Sequence, residues 1–201
     1  MKKTTKTVLT GILGVVLILV LAAFILLMNI RWEFTKYLDG KYSELSFTVG
    51  FTKIDPIYGK YYAMASCSDD NIVFPITKSF NTKHIQENYV QTKSQQQYNY
   101  RLNEIFRGSI IEGQIRSITG GGKTPFDKGS IYTQINIHLT EDAKHVLAAK
   151  EVMHMLQENN ISAERIIFTY ETDKHVYEIK LSSEDYSFNE EEIKDKVKMI
   201  K

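Results

Sequence analysis

Between Lys6 and Arg31 the chain carries no charged side chain. This run of 24 residues, 7–30, would reach about 36 Å as a helix at roughly 1.5 Å per residue. The hydrocarbon layer of a bilayer is about 30 Å thick. Of the positions from Val8 to Ile30, 16 are Leu, Ile, Val or Phe, and each favours insertion by roughly 0.3–0.6 kcal/mol near the helix centre. Only Thr10, Gly11, Gly14 and Asn29 dilute the run. No soluble fold has a use for such an element on its surface, so residues 7–30 are read as a transmembrane helix, with residues 1–6 as a cytoplasmic leader.

A cleaved signal peptide is the rival reading. Its apolar core is typically about 7–15 residues and closes on a small-x-small site. Here the run continues through Phe24-Ile25-Leu26-Leu27-Met28, past Ala22-Ala23, its only small pair. No Cys borders the run to take a lipid. An uncleaved signal-anchor is therefore expected. Lys2, Lys3, Lys6 and the amino terminus precede the helix, and Arg31, Lys36 and Lys41 follow it. That slight bias, together with a folded body behind the helix, places the body outside the cytoplasm. Trp32, Tyr37 and Tyr42 suit an aromatic belt at the interface.

Residues 31–201 are enough for one ordinary domain or two small ones. With the three leading lysines set aside, 22 basic side chains face 24 acidic ones, a net charge of −2. No basic excess recommends nucleic acid as a partner. The single cysteine, Cys67, has no internal disulfide partner and makes no zinc site alone. It reads as a small buried residue in a strand.

Periodicity divides the body. Phe47-x-Val49-x-Phe51 alternates at period two, as does a strand at 61–67. Asp55-Pro56 with Gly59 marks a turn between them. Residues 68–71 turn the chain into a short strand at 72–74, which Pro75 assigns to a sheet edge. From Asn81 or Thr82 a helix is expected, capped there, reaching Phe106 whole or broken at the Gln-rich patch 92–97. A second block begins with a strand at 110–115. Ile131-x-Thr133-x-Ile135-x-Ile137-x-Leu139 is the cleanest alternation in the chain. Thr140-Glu141-Asp142-Ala143 opens a helix to about Asn159, with Thr140 as cap. Residues 165–171 and 174–181 pair as a hairpin across Thr172-Asp173. Asn189-Glu190-Glu191-Glu192 caps a final helix rich in lysine. The expected class is α+β, an N-terminal transmembrane helix followed by two small antiparallel-sheet-plus-helix modules, 31–106 and 107–201; one larger sheet is the alternative.

One stretch resembles a phosphate loop: Ile118-Thr119-Gly120-Gly121-Gly122-Lys123-Thr124-Pro125-Phe126. A P-loop needs a glycine five residues before its Gly-Lys-Ser/Thr and a helix after it. Position 117 is Ser117, Pro125 follows at once, and the next ordered segment is strand-like. No nucleotide is expected. The stretch reads as a long hairpin connection, with Gly120, Gly121, Gly122 and Lys123 as a candidate partner-contact loop.

Other chemistry is sparse. His145 and His154 are nine positions apart on one expected helix and so face opposite ways. Glu141 and His145 are four apart, a spacing more common in helix pairing than in metal sites. Asp69-Asp70 and the three glutamates from Glu190 explain themselves as a turn and a helix start. Neither a Gly-x-Ser-x-Gly elbow nor His-Glu-x-x-His occurs. No catalytic residue, metal ligand or cofactor is expected. The chain has 12 tyrosines; Tyr58, Tyr61, Tyr62, Tyr89, Tyr98 and Tyr100 fall in the first block. Core and strand filling explains them, and a solvent-facing cluster would instead mark a binding surface.

The first block also resembles the N-terminal part of small membrane-anchored proteins of Gram-positive bacteria, the YfjL-like type. The likeness rests on the anchor, Lys36-Tyr37-Leu38 with Lys41-Tyr42, Phe47-x-Val49 with Ile54, Tyr62-x-Met64-x-Ser66, and Asn88-Tyr89 with Arg101-Leu102. It covers residues 1–106 and implies placement and fold rather than activity. The expected function is a non-enzymatic, single-pass, extracytoplasmic binding module for an envelope component or membrane protein. The alternatives are an accessory or sensor subunit, for which Gly11-x-x-Gly14 offers a weak helix-pairing signal, and a cell-envelope hydrolase.

Overall fold

The computed structural model describes residues 2–127, 129–172 and 175–201, with the backbone alone for 2–10 and 12. The expected hairpin turn, Thr172-Asp173, falls partly on Asp173, which lies outside the described residues, as do Met1, Lys128 and Lys174. The chain forms two compact units, 1–92 and 93–201.

The first unit is built on one long helix, α1 (Lys2–Lys41), of 40 residues, about 60 Å at roughly 1.5 Å per residue. It contains the apolar run and continues beyond it without a break. Along Leu13 to Met28 its large apolar side chains, apart from the half-buried Leu27, are 38–70% exposed. Past that point one stripe changes role. Ile30, Phe34 and Leu38, four apart and so on one face, are buried. They pack with Val49, Ala63, Ala65, Phe74 and Ile76.

Those partners come from a five-stranded sheet, ordered β1 (Phe47–Val49), β3 (Lys60–Cys67), β4 (Val73–Ser79), β5 (Ile85–Glu87), with β2 (Lys53–Asp55) also on β3. All its pairs are antiparallel. The Phe47–Phe51 alternation stops at Val49, because the chain breaks step over residues 50–52 and rejoins β3 as β2. Pro75 sits opposite Met64, just beyond the segment of β4 that β5 covers, 76–78. Its missing N–H therefore costs no ladder bond on that side. The helix expected from Asn81 starts later: Ile85–Glu87 is strand and α2 is Tyr89–Phe106, unbroken through the glutamines.

In the second unit a five-stranded sheet is ordered β10 (Val197–Met199), β9 (His175–Leu181), β8 (Ile166–Thr172), β7 (Gln134–Leu139), β6 (Ile115–Gly121). Helix α3 (His145–Glu158) joins β7 to β8 and carries the chain back to the end where β7 began. This pair is therefore parallel, while the other strand pairs of the sheet are antiparallel as expected. The strand expected at 110–115 is instead loop and a 3-10 turn, Glu112–Gln114; the strand begins at Ile115, the last residue of the expected one. Thr140 does not cap α3. Its carbonyl closes a turn with Ala143 N–H at 3.2 Å, and the Lys144 N–H is satisfied by Gln114 Oε1 at 3.2 Å. The last helix, α4 (Glu190–Lys194), has the expected Asn189 cap, with Glu192 closing the box. It is short, and Val197–Met199 pairs with β9 instead of extending it.

One apolar face of this sheet is covered. Ile135, Ile137, Leu139, Ile166, Phe168, Ile179 and Leu181 form a single core with α3 residues Ala149, Val152, Met153 and Leu156. Tyr98, Leu102 and Phe106 of α2 join the same core. The boundary expected at 106/107 thus falls at 92/93, because three buried α2 side chains pack on the second sheet.

Candidate functional site

The glycine stretch is not a loop over most of its length. Gly120 and Gly121 are strand residues of β6, opposite Ile135 and Gln134. Their glycine identity is set by what lies over them. A Cβ on Gly120 would stand 2.7 Å from Leu102 Cδ1 and 2.9 Å from the Tyr132 ring. One on Gly121 would stand 2.5 Å from Gln95 Oε1. One on Gly122 would collide with the Tyr98 hydroxyl. Each is closer than real Cβ atoms approach. The glycines let α2 lie directly on the strand. Gln95 Nε2 donates to the Gly120 carbonyl, and Asn99 Oδ1 accepts from the Gly120 N–H at 2.8 Å. Lys123, the candidate contact cation, pairs with Glu164 at 2.9 Å. Only Lys123 stands well out into solvent; the glycines serve packing.

The sheet face opposite the core is polar. Register places Ser117, His138, Thr169 and Glu178 side by side across four strands. The Thr169 hydroxyl and His138 Nδ1 are 2.5 Å apart. At the end of this row lies an open groove of about 480 Å³, lined by Arg116, Ser117, His138, Thr140, Glu141, Thr169, Tyr170 and Glu171 among others. It sits where the parallel strands β7 and β8 both end, the place where α/β sheets most often take ligands.

Arg116 reaches it through a bulge. Ile115 pairs with Leu139 but Ser117 with His138, so Arg116 is an extra residue in β6. A bulge bends the strand and re-aims the side chain. On the core side of the sheet, to which Tyr170 belongs, the His145 ring stacks on Tyr170 at 3.8 Å and 9°, and Tyr170 on Tyr177 at 5.3 Å and 12°. His145 Nε2 donates to the Thr140 carbonyl at 3.2 Å. Burial, then the Tyr177 hydroxyl nearby, push the Tyr170 phenol above its ordinary range. The groove therefore offers hydroxyls, an imidazole and charges of both signs.

The other candidates disperse. His154 lies exposed beside Glu158 at 3.6 Å, while His145 is in the stack. Because α3 starts at His145, Glu141 shares no helix face with it. Among the described residues no three His, Cys, Asp or Glu groups are placed to hold a metal. Cys67 is buried, with Sγ 3.8 Å from Asp69 Oδ2. Asp69 accepts the Ser46 N–H and Asp70 the Tyr89 hydroxyl, at 2.7 and 2.6 Å, so the acidic pair organises the turn.

The tyrosines divide as well. Tyr89 and Tyr98 are buried, Tyr61 and Tyr62 half-buried, Tyr58 and Tyr100 exposed. Two features escaped sequence reasoning, the Arg116 bulge and the Ser117–His138–Thr169 row. The second had a signal, since Asn136 and His138 fall on the polar face of the cleanest alternating strand. No protein-family model matches the chain, no curated protein matches its sequence, and no solved structure matches its fold.

Proposed function

We propose that the protein is a single-pass, membrane-anchored, non-enzymatic binding module whose body stands outside the cytoplasm and takes a polar partner in the groove of the second sheet. The observation that carries the anchor is the exposed apolar surface of α1 from Leu13 to Met28, part of a helix long and apolar enough to cross a bilayer. The charges flanking the helix, the amino terminus counted with Lys2, Lys3 and Lys6 against Arg31, Lys36 and Lys41, favour a cytoplasmic N-terminus, and the YfjL-like resemblance of residues 1–106 accords with this placement. Binding is supported by the groove. Arg116 and the hydroxyls of Ser117, Thr140 and Thr169 suit a carboxylate or a carbonyl, while Glu141 and Glu171 suit an amine. A peptide segment of an envelope or membrane protein presents both.

Carbonate washing should leave the full chain in the membrane fraction. Protease added to intact cells should remove a C-terminal tag. A photo-reactive residue at Glu171 should form a discrete adduct that Arg116→Glu with His138→Ala abolishes. Tag protection, or an adduct indifferent to those substitutions, contradicts the proposal.

A hydrolase is the second reading, favoured by one observation: Ser117 and His138 are cross-strand partners on the same face. In that arrangement the imidazole would serve as base to the serine hydroxyl. A fluorophosphonate probe decides between the two. The binding reading expects no labelling above that of Ser117→Ala.

A further inference from the structure

The first sheet holds an apolar end that its own core does not use. Arg31 Nε donates to the Val49 carbonyl at 2.9 Å, and the Phe24 and Phe51 rings stack at 6.4 Å and 30°. From Arg31 to Phe24, α1 descends about 10 Å at roughly 1.5 Å per residue. The chain leaving β1 thus runs antiparallel to α1, from its charged end into its apolar stretch. Register carries the same direction onward: Phe47 faces Cys67, Val49 faces Ala65, Lys53 faces Tyr62 and Asp55 faces Lys60. Lys78, opposite Tyr61 beside the hairpin tip 56–59, ion-pairs with Glu33 of α1, which keeps the tip close to the outer end of the apolar run.

We infer that this end of the sheet is itself inserted in the bilayer, in the interfacial layer of the leaflet that α1 crosses last. The inference rests on the anchoring reading above. If the span ends at Ile30, Phe24 lies about 9 Å inside it at roughly 1.5 Å per residue, and Phe51 shares that depth. The tip has the composition of an interfacial segment. Phe51 is 53%, Ile57 87% and Tyr58 75% exposed. Phe80, tied to the tip by its N–H to the Gly59 carbonyl at 2.9 Å, is exposed as well. Lys60 Nζ lies 5.0 Å over the Tyr58 ring, a cation beside an amphipathic ring, as membrane interfaces favour. In water these side chains would forgo about 25 cal/mol for each Å² of apolar surface left wet. Against acyl chains they recover it. The occupant is lipid because the patch is continuous with a helix already committed to lipid.

The test uses the full chain in vesicles of phosphatidylcholine with a quarter phosphatidylglycerol. In a Cys67→Ala background, an environment-sensitive fluorophore is placed at Phe51→Cys, Ile57→Cys, Leu21→Cys or Glu44→Cys, and lipids with shallow or deep nitroxides are the quenchers. Leu21 should respond to the deep nitroxide and Glu44 to neither. Labels at 51 and 57 should brighten and be quenched about twofold or more by the shallow nitroxide, as for a segment seated at the headgroup–acyl boundary. Labels at 51 and 57 that behave like Glu44 while Leu21 reads deep overturn the inference and leave the anchor standing. Labels there that brighten without nitroxide quenching point to a second copy of the chain, and also overturn it. A Leu21 label in water overturns both readings.

Discussion

Gly113 and Gly120 are the same residue type in different circumstances. Nothing lies within 4 Å of a Cβ built on Gly113, whereas Gly120 is overlain by Leu102 and Tyr132. Gly120→Ala is expected to cost about 1–3 kcal/mol through overpacking, and Gly113→Ala close to nothing, both measured by chemical unfolding. Thr52 carries the opposite kind of strain. It is buried, and its hydroxyl has no partner. Thr52→Val keeps the shape and removes the unsatisfied group, so it should be neutral or stabilise by about 1 kcal/mol. Glu87 is satisfied three times, by Lys41 Nζ at 2.6 Å, the Tyr42 hydroxyl at 2.8 Å and the Tyr89 N–H at 2.5 Å. Burial alone would raise its carboxyl, but these donors win and hold it below its ordinary value. A lowered folded-state value means stability that is full above the unfolded value of about 4.3 and is lost as pH falls through the folded one. The first unit should therefore weaken progressively below about that pH, and Glu87→Gln should flatten the decline in thermal melts taken across the acid range.

Helix α3 shows what a sequence tells and withholds at the level of an element. Its end was legible in Asn159-Asn160. Asn160 takes φ 54°, its N–H donates to the Gln157 carbonyl at 3.0 Å, and the Ile161 N–H reaches the Leu156 carbonyl at 2.9 Å. This is the paired bonding of a left-handed helix terminus. Asn160→Gly should cost almost nothing and Asn160→Ala about 1 kcal/mol, since alanine pays for positive φ without a polar compensation. The start of α3 was not legible, because no side chain caps it and the N–H of Lys144, just before its first turn, is satisfied by Gln114, thirty positions away. The same non-locality explains the other misreadings. The glycine stretch looked like a loop because its purpose resides in α2, and Arg116 looked ordinary because a bulge is a property of pairing rather than of one strand. The strands β5 and β10 have three residues each, too few for an alternation to declare itself. What was legible was local: the apolar run, the alternation through Leu139, the Asn189 cap. Fold class follows from such signals, and the groove does not.

At the scale of the molecule, α1 and α2 are each recruited by a core that sequence proximity alone would not assign. Along α1 the stripe of Ile30, Phe34 and Leu38 carries a helix long and apolar enough to cross a membrane on into the core of the first unit, so the apolar run and the fold share one covalent rod. Along α2, Tyr98, Leu102 and Phe106 are buried with the second sheet. Each such side chain contributes roughly 1.5–3 kcal/mol on burial, so the three together supply about as much as the 5–15 kcal/mol net stability of a typical domain. A fragment cut at the composition boundary, 107–201, also exposes the Gly120 and Gly122 surface that α2 seals. It should therefore be expanded and without a cooperative melt. A fragment starting at Asn88 keeps the helix and should give dispersed amide resonances and a single unfolding transition. If 107–201 folds as well as 88–201, α2 is an ornament on the second unit, and the close approach that the glycines permit has no energetic weight.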